Sequence, residues 1–64
     1  MARVSPATLE RYLSGIHYPC SRQDLVNHAR HQNAPQEVIQ TLQNLPRNNF
    51  HGPVDVSRAV GEMT

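Results

Sequence analysis

Four side chains in this sequence are of the types that bind zinc: His17, Cys20, His28 and His31. They form a His-x2-Cys pair and a His-x2-His pair with seven residues between them, and both short spacings suit chelation. Three residues apart on a helix, His28 and His31 could share one ion. Cys20, however, stands just before a helix cap, at a position that packs a side chain onto Leu25. Its thiol would have to leave the core to meet His28 about two turns up the helix. The expectation is one small buried thiol, several surface histidines and no metal. His51 falls in a loop without a sequence partner. Cys20 with His17 or His28 also has the look of a nucleophile and base, but no third group is placed to orient them. Asp24, Glu37 and Asp55 fall at helix starts, where capping and the helix dipole account for them. With no glycine-rich phosphate loop, neither an enzyme nor a cofactor is expected.

A second chemistry is carried by arginine. All six basic residues are arginines (Arg3, Arg11, Arg22, Arg30, Arg47 and Arg58), and there is no lysine. Arginine suits bidentate recognition of carboxylate or phosphate, although a GC-rich genome also favours its codons. On a helical wheel, Gln23, Asn27, Arg30 and His31 lie opposite Leu25 and Ala29. Arg, Asn and Gln read base edges in the major groove, and Arg contacts phosphate. Arg22, Gln23, Asn27, Arg30 and Arg47 are therefore the candidate nucleic-acid residues, with Asn48 and Asn49 as further backbone contacts. The first two helices would form a helix-turn-helix with the second as reader. Against this, the net charge is only +1, and no basic stripe or aromatic stacking face is visible.

These residues must be positioned by short helices. Helix-start signals recur four times: Ser5-Pro6-Ala7-Thr8-Leu9, Ser21-Arg22-Gln23-Asp24-Leu25, Ala34-Pro35-Gln36-Glu37-Val38 and Gly52-Pro53-Val54-Asp55-Val56. The first helix is expected from Pro6 to about Ser14, with Ser5 as cap and Gly15 as a left-handed stop. Val4 and Leu9 would form its hydrophobic staple. Leu9, Tyr12, Leu13 and Ile16 follow the spacing of one buried stripe. The second starts at Arg22, with Ser21 and Asp24 as a capping box; it buries Leu25, Ala29 and Gln32, is flanked by Val26, and stops at Asn33. The third starts near Pro35 or Gln36, buries Val38, Leu42 and Leu45 beside Ile39, and ends at Pro46. Phe50 anchors the crossover. The fourth runs from Pro53 to about Val60 and stops at Gly61. A weak echo links the halves: Leu13-x-x-Ile16-x-Tyr18 leads to Ser21-x-x-Asp24-Leu25, as Leu42-x-x-Leu45 leads through Phe50 to Gly52-x-x-Asp55-Val56.

At 64 residues the chain is expected to be one small domain, burying only roughly 60% of the surface of its unfolded chain. One cysteine excludes an internal disulfide. No apolar run approaches the roughly 18 residues of a membrane span. Met1-Ala2-Arg3-Val4 leads straight to a cap with no signal-peptide stretch, so a cytosolic protein is expected.

The ordered set Tyr18-Pro19-x-Ser21-x-x-Asp24-Leu25-Val26-x-x-Ala29, then Ala34, Val38, Leu42, Leu45-Pro46, Phe50 and Pro53-x-Asp55-Val56-Ser57-x-Ala59-Val60-Gly61, resembles the small bacterial domain of unknown function 2795 family. The likeness extends from about Leu9 to Gly61. It implies a mostly helical bacterial domain, found alone or near the end of longer proteins, and brings no activity with it. Gly52 stands where that family usually has a serine cap, and glycine caps nearly as well. His17, Cys20 and His31 also fall where the family more often shows other residues.

The expected architecture is therefore all-α: four short helices in one bundle over 1–64, with paired helical hairpins as one arrangement. The expected role is a non-catalytic binding or adaptor domain that meets a protein partner or a second copy, with nucleic-acid binding as the alternative. Val26, Ile39, Val54 and Met63 are the candidate interaction surface, left half exposed beside the core stripes.

Overall fold

The computed structural model describes residues 5–63. Among them are four helices and two very short strands: α1 (Pro6–Tyr12), β1 (Cys20–Ser21), α2 (Arg22–His31), α3 (Gln36–Gln43), β2 (Asn49–Phe50) and α4 (Pro53–Glu62). The chain is mostly helical. The strand pair departs from a purely helical expectation, because two residues are too few to carry a readable alternation.

The helix ends follow local chemistry. Ser5 caps α1 by accepting from the Thr8 backbone N–H at 3.2 Å, and Gly15 takes the left-handed φ of +85° that turns the chain away after it. Val4, the other half of the expected staple, lies outside the described residues. Ser21 and Asp24 form a reciprocal capping box on α2, with Asp24 Oδ2 accepting from Ser21 N at 3.0 Å and Ser21 Oγ from Asp24 N at 3.1 Å. Asn33 follows with φ +58°, a conformation asparagine tolerates. No side chain caps α3, so packing must hold its start. Two ends differ from expectation. α1 is shorter, closing at Leu13. α4 continues through Gly61 to Glu62, because glycine within a helix costs only about 1 kcal/mol and Arg47 Nη2 holds Glu62 Oε2 at 3.0 Å.

The largest fully enclosed side chains are Phe50, Leu9, Leu25, Leu42, Leu45 and Val38. Val26 and Ile39 join them at 2% and 4% exposure, which corrects the expectation that they form an accessible surface. α2 lies chiefly against α3 and also against β1, so its apolar stripe is covered on more than one side. Gln32, expected inside, is exposed; α2 has ended by then, and Gln32 serves as its C-cap.

β1 and β2 run antiparallel, with Cys20 opposite Phe50 and Ser21 opposite Asn49. Arg22 N extends the ladder to the Asn48 carbonyl at 2.9 Å. The pairing lets the connectors satisfy each other's backbone groups beside buried Cys20 and Phe50.

The halves share one plan, helix–strand–helix. α2 packs on α3 as α1 packs on α4, and each strand contacts the helix that follows it. An exchange of halves maps this pattern onto itself. Local bonds repeat as well: Ile16 N donates to the Leu13 carbonyl, and Leu45 N to that of Leu42. Asp24 and Asp55, each in a first turn, accept from the backbone at or just before the cap. The helices that chiefly pair are thus α2 with α3 and α1 with α4, not α1 with α2 as a helix-turn-helix reading requires.

Phe50→Ala should remove the largest enclosed side chain and cost about 3–5 kcal/mol. In urea titrations followed by far-UV circular dichroism, the variant should lose most or all of its folded baseline.

Candidate functional site

His17, Cys20, Asp24, His28 and His31 share one open groove with Gly15, Ile16 and Pro19, of about 510 Å³. Sharing a groove does not make a coordination sphere. Cys20 is buried, with its thiol pKa raised by burial and then by the Asp24 charge. His28 Nε2 lies 2.9 Å from the Ser14 carbonyl, so that nitrogen carries the proton and donates. This bond ties α2 to the end of the α1 turn. Among the described residues, no three His, Cys, Asp or Glu side chains converge as a metal site.

The arginine candidates separate. Arg22 Nη1 donates to the Leu45 carbonyl at 2.8 Å in a part-buried bond. Its guanidinium thus joins the start of α2 to the chain leaving α3. Arg47 is held by Glu62. Gln23 Nε2 donates to Asn27 Oδ1 at 3.1 Å, and Gln23, Asn27 and Arg30 are exposed on α2. The structure therefore brings three of the five together on one helix face and engages the other two elsewhere. The role of Arg22 had a sequence signal: three residues before Leu25 and seven before Ala29, it falls on the buried stripe.

Val54 and Met63 are exposed, at 62% and 40%. Nine residues apart on or just beyond α4, they point to opposite sides of a helix. With Val26 and Ile39 buried, the four apolar candidates do not form one patch.

A different apolar feature lies between α1 and α4. A cavity of about 310 Å³ is lined by Leu13, Ile16, Tyr18, Pro53 and Val56, with Glu10 also in its wall. Ile16 and Tyr18 are only partly buried, against the edge of the core. The Tyr18 hydroxyl has its pKa raised by burial, then by the charges of Cys20 and Glu10. Its contributors come from two stretches of chain, 10–18 and 53–56, far apart in the sequence, so no motif could have announced it.

The first turn of α4 is set by Asp55, whose Oδ2 accepts from His51 N at 2.8 Å. That backbone bond is the main reason its pKa lies below the ordinary 3.8; burial opposes it, and the His51 ring and Arg47 add to the lowering. His51 Nδ1 is 3.5 Å from the same oxygen.

A family model described as a protein of unknown function (DUF2795) matches residues 4–57, and the chain belongs to that family. No curated protein and no solved structure matches it. Among the described residues no helix is long and apolar enough to cross a membrane.

Two outcomes follow for the tethers. Arg22→Met should lose about 1–3 kcal/mol, seen as a lower Tm, whereas Gln23→Ala should stay within about 0.5 kcal/mol. Asp55 stabilises the fold fully above its ordinary pKa of 3.8, and this is lost as pH falls through its lower folded value. Acid unfolding curves of Asp55→Asn should lack that component and converge with the parent at the acid end.

Proposed function

We propose that this member of the DUF2795 family is a non-catalytic binding module that docks a protein partner at the cavity between α1 and α4. The cavity carries the reading. At about 310 Å³ it stands at the small end of ligand pockets, a scale suited to one anchoring side chain. Its walls are largely apolar, and exposed Val54 follows Pro53 of its lining in the chain. Partly buried Tyr18 supplies the amphipathic surface that protein interfaces favour. The non-catalytic part of the reading is supported by Cys20, whose thiol is buried and has its pKa raised. A second reading, nucleic-acid binding, is supported by the exposed Gln23, Asn27 and Arg30 face of α2. It is weakened by the engagement of Arg22 and Arg47 within the fold.

A photoreactive benzoylphenylalanine at Val54, introduced in the native cell, tests the protein-binding reading. The expected result is one discrete adduct that is absent when the same group replaces exposed Gln40. An adduct of twice the chain mass would identify a second copy as the partner. No adduct specific to Val54 would overturn the proposal. Duplex DNA at low salt should fail to retard in a gel; retardation that salt abolishes steeply and Arg30→Ala removes would install the second reading instead.

A further inference from the structure

The repeated plan of the two halves makes the α1–α4 cavity interpretable, because the fold contains its counterpart. Aligning Leu13 and Ile16 with Leu42 and Leu45 matches the chain leaving α1 with that leaving α3, although α1 closes at Leu13 and α3 two positions later, at Asn44. Aligning Ser21, Asp24 and Leu25 with Gly52, Asp55 and Val56 superposes the start of α2 on that of α4. The bonds from Ile16 to Leu13 and from Leu45 to Leu42 respect the first alignment. The N-caps Ser21 and Gly52 respect the second.

Under these alignments Leu13, Ile16 and Val56 of the cavity correspond to Leu42, Leu45 and Leu25. Pro53, at the start of α4, corresponds to Arg22 at the start of α2. In the α2–α3 half, Arg22 reaches across the junction and donates to the carbonyl of Leu45. In the α1–α4 half the same position is proline, which has no donor to offer. The position equivalent to Leu45 is Ile16, which lines the cavity. Among the described residues, no hydrogen bond to the Ile16 carbonyl is seen.

One further exchange sets the charge of this junction. The counterpart of buried Ile39 is Glu10, an exposed acid in the cavity wall. Glu10 forms no ion pair among the described residues. Among the described residues the junction thus lacks the internal cation of its twin, and it carries a carboxylate in place of an apolar side chain.

We infer that the α1–α4 cavity receives an arginine presented by a protein partner, its alkyl stem on Leu13, Ile16 and Pro53 and its guanidinium shared between the Ile16 carbonyl and the Glu10 carboxylate. The partner's arginine does from outside what Arg22 does from within. This rests on the protein-docking reading above and adds the chemistry of the anchor. The apolar walls suit the arginine stem, and a carboxylate beside a carbonyl suits a forked donor.

The test is an amide NMR titration of the intact labelled protein with two tripeptide probes, acetyl-Leu-Arg-Leu-amide and acetyl-Leu-Gln-Leu-amide. The arginine probe should shift the amides of Ser14, Gly15, Ile16, Val54 and Val56 and bind about tenfold more tightly than the glutamine probe. Glu10→Gln should reduce the arginine probe to the level of the glutamine probe. Pro53→Arg should fill the cavity internally and abolish those shifts. Equal binding of both probes at these amides would overturn the arginine anchor while leaving an apolar docking site in place. Shifts confined to other surfaces, or none from either probe, would overturn the arginine anchor; the photo-crosslink at Val54 separately decides whether a protein docks there.

Discussion

Two connectors pass beside the core of this small protein, and their backbone groups must find partners there. The antiparallel pairing of Cys20–Ser21 with Asn49–Phe50 meets that requirement. Each strand runs almost directly into a helix, so the pairing also sets where α2 and α4 begin. Enclosed Phe50 lies at this junction. An unpaired buried peptide group costs about as much as a lost hydrogen bond, a large fraction of the stability available to so short a chain. The strand pair is small in extent, yet the helix packing depends on it.

Around that bridge the halves repeat one another in topology and differ in chemistry. The α2–α3 junction is closed by a part-buried guanidinium on a backbone carbonyl. The α1–α4 junction has proline at the matching position and an apolar cavity beside Glu10, which makes no ion pair among the described residues. The same order of elements thus supports one junction sealed by the chain itself and one open to solvent. The halves differ at Arg22 against Pro53, at Ile39 against Glu10, and at left-handed Gly15 against Asn44, whose φ is −95°.

The groove holding His17, Cys20, His28 and His31 gathers side chains that are engaged to different degrees. One histidine nitrogen is spent on the Ser14 carbonyl, and Cys20 is buried. What gathers these residues is the packing of α2 near the α1 turn, which engages His28 and Cys20 and leaves His17 and His31 exposed.

Local chemistry was legible in the sequence. The Ser5 cap, the Ser21–Asp24 box and the left-handed Gly15 and Asn33 are decided within a few residues, because capping bonds span three or four positions. The core stripes of Leu9 and Leu13, Leu25 and Ala29, and Val38 and Leu42 were legible for the same reason, through helical periodicity. Other features were not. Whether Val26 and Ile39 face water depends on which helices lie beside α2 and α3. The partner of Arg22 is a carbonyl 23 residues away, although its place on the buried stripe was visible. The cavity joins α1 to α4 across most of the chain. Sequence by itself determined where the helices start and which faces they bury, since those are short-range balances of hydrogen bonding and burial. Only the tertiary structure decided which helices meet, which arginine is consumed and which junction stays open, because those depend on side chains far apart in the chain competing for the same space.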